Sequence, residues 1–401
     1  MQAPDRIFRR RVFYVPGYDP FPPRRYREFY RKEGAAQAAI SGYALTLQAE
    51  APGSGGYVWR VATRIGGVES EARVKVLVWS DLVQASMRRG VVATYLLMLR
   101  TLWTFVATGA LRAMIRLRPG PMLAGAWPVA MLTVQLLLAL GAGVLVGWGL
   151  AQVLPGWLAA LAGAAVLAGL MQLFRRLDTR FFAYYLLYDF AQVAAHDGAL
   201  APALTRRLDG FADEIAGALA EPGTDEVLLV GHSSGAALAV MLAAAVERRG
   251  LPAGARLSLL TLGQAIPMQA FLPRAERLRG DLAQLAASRA VTWVDVSAKG
   301  DGVCFWLTDP PAICGVAPPD AHQPLVFSAA FSDTLSPAKW RAIRRQFFRL
   351  HIQYLAAFDR PRDYDYFQIT AGPLTLAERF ATRKPSPQTE RRVFSPHRSL
   401  P

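Results

Sequence analysis

Ser233 is the residue around which this 401-residue sequence can do covalent chemistry. It sits in Gly231-His232-Ser233-Ser234-Gly235, between the apolar run Val227–Val230 and the alanine-rich stretch Ala236-Ala237-Leu238-Ala239. Glycines flanking a serine remove side chains that would clash in a sharp turn, and such a turn lifts the hydroxyl out of the fold for nucleophilic attack. The pentapeptide alone also fits a plain glycine turn. What favours the nucleophile is its setting, a short buried strand before it and a helix after it. A serine hydroxyl is a poor nucleophile at neutral pH, so a histidine must take its proton and a carboxylate must orient that histidine.

The strand, turn and helix around Ser233 resemble the nucleophile elbow of the α/β-hydrolase superfamily, in particular its lipases and esterases. The resemblance is strong over the elbow and weaker over much of the chain outside residues 86–177. It implies the chain order serine, acid, histidine. Three histidines follow Ser233: His322, His351 and His397, the last in a basic tail and set aside. For the acid, Val291-Thr-Trp-Val-Asp-Val-Ser297 reads as a strand running into the loop Ala298-Lys-Gly-Asp-Gly-Val303. The superfamily places its carboxylate at such a strand end, and Asp301-Gly-Val is similar to the Asp-x-Val of many lipases. Asp295, inside the strand, is the second candidate, and an ordinary turn aspartate is the plain reading of Asp301.

For the base, His351-Ile-Gln-Tyr354 looks like the H-x-x-Y found after the last strand of several lipase-like hydrolases. Lys339–Phe358 has helical periodicity, in which a histidine is usually a surface or core residue. His322, in Pro318-Pro-Asp-Ala-His-Gln-Pro324, lies on a loop and is the alternative. An oxyanion hole needs two N–H groups aimed at the developing charge. The resemblance assigns one to Ser234 and the other to the loop after an early strand, which Pro16-Gly17-Tyr18 fits. The His-Gly form of that loop is absent, and a Pro-Gly turn is the plain alternative for Gly17 and Tyr18.

The elements that must position these residues follow from periodicity. Arg11–Val15, Tyr43–Leu47, Tyr57–Thr63 and Arg73–Trp79 read as strands before the elbow, and Arg256–Leu262 and Val291–Ser297 after it. Phe182–Ala195, Leu204–Leu219 and Arg274–Ala287 read as helices. Strands alternating with helices predict an α/β fold, a mainly parallel sheet flanked by helices on both faces. The expected organisation is a first part of the catalytic domain at 1–85, an insertion at 86–177, a second part at 178–376 and a disordered basic tail at 377–401.

No Asp, Glu, Lys or Arg occurs between Arg118 and Arg175. A bilayer core needs about 20 apolar residues per helix, so the stretch predicts two spans, Trp127–Leu150 and Trp157–Phe174, broken at Leu154-Pro155-Gly156. Gly143 and Gly147 have the spacing that lets membrane helices approach closely, although glycine is common in such helices. Arg112, Arg116 and Arg118 precede the hairpin, and Arg175, Arg176 and Arg180 follow it. Basic flanks stay cytoplasmic, which predicts an inner-membrane protein with both termini and the catalytic domain in the cytoplasm. Residues 88–118 predict an interfacial helix rather than a third span, because halves that share one sheet require an even number of crossings. The balance of 45 basic and 30 acidic residues, +15 in all, fits anionic lipid headgroups better than nucleic acid, for which no motif is present.

Met1-Gln-Ala-Pro-Asp5 carries no hydrophobic run of a cleavable signal. Cys304 and Cys314 lack a metal-ligand pattern and are expected reduced, and no metal or organic cofactor is implied. The expectation is thus a membrane-anchored serine hydrolase acting on an ester, with an acyl lipid as the natural bilayer-dissolved substrate. A non-catalytic membrane scaffold keeping the same shape is the alternative. A transporter subunit fits less well, since the two spans carry no ionisable residue.

Overall fold

The structure, a computed structural model, describes residues 7–50 and 57–401. The opening Met1–Asp5, read above for a signal, lies outside the described residues. Eight strands form one sheet in the order β2-β3-β4-β1-β5-β6-β7-β8. They are β1 (Phe8–Val15), β2 (Ala44–Ala49), β3 (Val58–Ile65), β4 (Val68–Val76), β5 (Glu226–His232), β6 (Leu257–Leu262), β7 (Val291–Ser297) and β8 (Leu325–Ser328). The pairings β2–β3 and β3–β4 are antiparallel, while β4, β1, β5, β6, β7 and β8 run parallel. The fold is α/β, as the alternating pattern predicts.

Helices α1 (Arg24–Ser41), α2 (Ser80–Met87), α3 (Val91–Ala107), α4 (Ala110–Leu117), α5 (Pro119–Leu150), α6 (Gly156–Arg176), α7 (Asp178–Phe181), α8 (Ala183–Ala194) and α9 (Pro202–Leu219) precede the elbow. They are followed by α10 (Gly235–Arg248), α11 (Ile266–Ala270) and α12 (Glu276–Ala287). Strand alternation divides the core in two. Phe13, Leu229, Leu259 and Trp293 face the layer with α8, α9, α10 and α12. Val12, Tyr14, Leu228, Leu260 and Val294 face the layer with α1 and the C-terminal third of the chain. Burying side chains on both faces of central strands is what makes β5 and β6 continuous apolar runs rather than alternating ones.

The chain runs from β1 out to β2, β3 and β4 on one side, and later from β5 to β8 on the other. The order therefore reverses between β1 and β5, the place where parallel α/β sheets open a crevice at their strand C-terminal ends. A buried ion pair locks the two strands together: Arg10 Nε lies 2.6 Å from Glu226 Oε2. Arg10 also donates to the Gly372 carbonyl at 2.8 Å, and Glu226 Oε1 accepts from Ser258 Oγ and Leu376 N–H, both at 2.7 Å.

Between β4 and β5 stand α5 and α6, antiparallel, long and apolar enough to cross a membrane. At roughly 48 Å, α5 exceeds a hydrocarbon core. Its first turns belong to the domain: Arg118 stacks on Trp306 and donates to the Trp306 carbonyl at 3.0 Å, and Trp127 donates to the Phe181 carbonyl at 2.8 Å. Arg118 therefore fastens the start of α5 to the protein instead of reaching for headgroups. Farther along, a Cβ on Gly143 would come within 2.8 Å of the Gly163 carbonyl, so the glycine spacing is used where the two helices cross. Helix α3 turns 107° from α2 and exposes an apolar stripe of Val92, Leu96, Leu99, Trp103 and Val106. Arg100 is not sunk among apolar side chains; it donates to the Ala195 carbonyl at 3.1 Å.

Two expectations need correction. Residues 377–401 do not form a disordered tail. Phe394 N–H donates to the Ile313 carbonyl at 2.9 Å, and Ser395 is buried. Glu390 N–H donates to the Leu307 carbonyl at 2.8 Å, and the end of the segment meets Arg279, a buried guanidinium whose acceptors are the carbonyls of Ala270, Leu272, Pro273 and Ser399. The helical periodicity of Lys339–Phe358 is also interrupted: it folds as Pro337–Ile343, then Phe347–Ile352, then a short 3-10 turn at Gln353–Leu355.

Candidate active site

Ser233 follows β5 with φ 59°, a left-handed conformation uncommon outside glycine, asparagine and aspartate. The turn is held by Ser233 N–H to the Leu262 carbonyl at 3.0 Å, with Ala265 N–H and Ala236 N–H donating to the Ser233 carbonyl at 3.2 and 3.1 Å. The flanking glycines are steric necessities. A Cβ on Gly231 would lie 2.6 Å from that of Ala239, and one on Gly235 would run into the carbonyls of Val15 and Pro16. Ser233 and Ser234 remain half-exposed at the mouth of the crevice, while His232 and Gly235 are buried.

Asp301 and His351 meet. His351 Nδ1–H donates to Asp301 Oδ2 at 2.8 Å, and the Tyr354 hydroxyl donates to the same oxygen at 3.1 Å. Val303 N–H supplies Oδ1 at 3.0 Å. Thus both the histidine and the tyrosine of His351-Ile-Gln-Tyr354 serve one carboxylate. Burial alone would raise the Asp301 carboxyl. The His351 charge and hydrogen bond, the Val303 amide and the Cys304 thiol outweigh it and hold Asp301 below its ordinary value. The His351 ring lies over that of His232, centroids 4.7 Å apart, and its Nε2 is buried with no hydrogen-bond partner among the described residues. His232 donates from its own Nε2 to the His351 carbonyl at 2.8 Å. Burial, reinforced by the His351 charge, lowers its pKa to about 3, so His232 is a neutral brace.

Gly17 covers the elbow: a Cβ there would stand 3.1 Å from Ser233 Cβ and 3.3 Å from Ser234 Oγ. Tyr18 departs from expectation, because its N–H already donates to Ser234 Oγ at 2.9 Å. The two alternatives lie elsewhere. Asp295 points into the sheet, where Thr261 Oγ1 donates to its Oδ2 at 2.6 Å. His322 is in an edge loop, its Nδ1 3.2 Å from the Asp320 carbonyl. His397 Nε2 lies 3.1 Å from the Thr108 carbonyl, beside the insertion.

Asp189 of α8 escaped the sequence reading. Burial pushes its carboxyl up to about 7, against a hydrogen bond from Ser234 and the charge of His351, which both pull it down. Ser234 Oγ thus accepts a hydrogen bond from Tyr18 N–H, which leaves its own hydroxyl hydrogen free to turn toward Asp189. The signal was available: Asp189 is the one acidic residue within Phe182–Ala195, a helix otherwise dominated by apolar and aromatic side chains.

The family described as Lipase (class 3) matches residues 165–277, a stretch that holds α8, α9, β5, the elbow and α10. No curated protein and no solved structure matches the chain. The elbow, the mostly parallel sheet and this match place the chain in the lipase-like part of the α/β-hydrolase superfamily. The match supports a lipase-like hydrolase.

Proposed function

We propose that the chain is a membrane-anchored serine hydrolase that cleaves an acyl ester through Ser233, His351 and Asp301. His351 Nε2 takes the Ser233 proton as Oγ attacks the ester carbonyl carbon. Asp301 holds the imidazole in the tautomer that leaves Nε2 open, and offsets the charge the ring acquires. The tetrahedral oxyanion is received by the Ser234 and Gly17 N–H groups, while Tyr18 N–H acts one step back by fixing the Ser234 hydroxyl. Collapse expels the alcohol, which takes its proton from His351. Water, deprotonated by the same nitrogen, then releases the acid and restores Ser233.

The observation that carries this reading is the His351–Asp301 pair seated on His232, next to a strained serine, with its second ring nitrogen unpartnered. Anchorage is supported by the apolar surface of α5 and α6, where Leu137, Val144 and Trp148 are exposed. Pairing of β1 with both β4 and β5 supports a shared compartment for the two flanks of the insertion, and the arginine flanks favour the cytoplasm. An acyl lipid is the substrate class that such a placement serves. The test is hydrolysis of p-nitrophenyl acyl esters and of a diacylglycerol by the purified full chain in nanodiscs. Turnover that disappears in Ser233→Ala and His351→Asn supports the proposal, and equal rates in wild type and variants contradict it.

A further inference from the structure

A cavity of about 370 Å³ lies between α3, α4, α5 and α8, apart from the crevice at Ser233. Met98, Phe105, Met122, Leu187 and Phe190 form its walls, and Thr101 is the only polar side chain in the lining. Water gains nothing in such a space, and a void of this size left empty would forfeit the contacts of its whole lining. The volume falls in the range of small-molecule pockets. Its mouth is at Leu102, Ala126 and Ala130, all exposed, on the side of α3 that presents Leu99 and Trp103. Helix α5 runs on from this mouth into its exposed, lipid-facing length at Leu137 and Leu138. An acyl chain lying along α5 therefore has a continuous apolar path into the cavity.

Helix α8 separates the cavity from the catalytic residues. Leu187 and Phe190 line the cavity, whereas Asp189 meets Ser234 and Tyr185 packs on Tyr18. These pairs are on opposite faces, about one helix diameter or 10 Å apart. We propose that the cavity binds one acyl chain of a bilayer phospholipid as a resident ligand behind α8, distinct from the chain whose ester is cut. The proposal rests on the membrane anchorage inferred above and is independent of hydrolysis.

The test uses full-length Ser233→Ala protein in nanodiscs of phosphatidylcholine with a diazirine in one acyl chain, followed by peptide mapping after illumination. Adducts are expected on Met98, Phe105 and Met122 as well as on Leu161, an exposed residue of α6. Ala126→Phe with Ala130→Phe, placed at the exposed mouth where folding is undisturbed, should lower the wall adducts by roughly 10-fold while Leu161 labelling persists. Wall adducts unchanged by the double variant, or confined to a free diazirine fatty acid, overturn the proposal. Loss of labelling at both Leu161 and the wall overturns the anchorage and the proposal together.

Discussion

At Ser233 the backbone is left-handed, while at Ser234 the hydroxyl accepts from Tyr18 N–H and lies near Asp189, so substituting each has a different consequence. Ser233→Ala removes the attacking atom and is expected to lower ester hydrolysis by at least ~10⁴-fold without loss of fold, as read by kcat alongside a melting curve. Asp189→Asn preserves shape but cannot accept from Ser234 in the same way. It is expected to lower kcat by roughly 10- to 100-fold with little change in KM, because the donors it positions act on the transition state. A matching fall in 1/KM instead would assign Asp189 to binding. The turn at Ser233 and the contact between Asp301 and His351 were legible because each lies in a short motif whose neighbours also have a place: Tyr354 shares Asp301 with His351, and glycines clear space around Ser233. Asp189 left a trace in the sequence as the one carboxylate on an apolar helix, but its partner is set only when α8 folds over the elbow. Tyr18 was assigned one role too many, as no pattern in Pro16-Gly17-Tyr18 reveals that its amide is taken by a side chain 216 residues away.

Among the elements, β1 and β5 depend on a charge pair that the sequence pattern does not display. Glu226→Gln leaves the Arg10 guanidinium buried without its counter-charge, and a loss of about 3–5 kcal/mol in unfolding free energy is expected in denaturant titration. Strand β7 carries a pH-dependent term. Burial raises the Asp295 carboxyl to about 7, with Asp309 adding to the rise and the Thr261 hydrogen bond opposing it. The folded chain thus holds a proton on Asp295 that the unfolded chain gives up near pH 4. The stabilisation is complete below that pH and is lost as pH rises toward 7, by ~1.4 kcal/mol per unit. Asp295→Asn should flatten this part of the stability profile between pH 4 and 7; an unchanged slope would place the titration elsewhere. Strands with both faces buried, such as β5, β6 and β7, were readable within two residues at each end. Strand β8 was not, because Leu325-Val-Phe-Ser328 is too short to show a period. The polar helix α1 was missed because only Tyr30, Gly34, Gln37 and Ala38 of its eighteen residues are buried.

For the whole molecule, one sheet built from both sides of an insertion ties the candidate site and the apolar hairpin into a single body. The hairpin was legible from the absence of charge between Arg118 and Arg175. Its seat was not, since the domain grips α5 through Arg118 and Trp127, two residues that as sequence read as membrane flanks. The full chain is expected to stay with membranes through alkaline carbonate washing. Replacing residues 139–167 with a short Gly-Ser turn should release it to the soluble fraction with the sheet intact, and retention of the shortened protein would locate the anchor in α3 instead. The claim on which the rest depends is that Ser233 is the activated nucleophile. Treating nanodisc-embedded protein with a fluorophosphonate and sequencing the modified peptide tests it most directly. A single adduct on Ser233 that vanishes in His351→Asn is expected. An adduct on Ser234, or no adduct on folded protein, would contradict it.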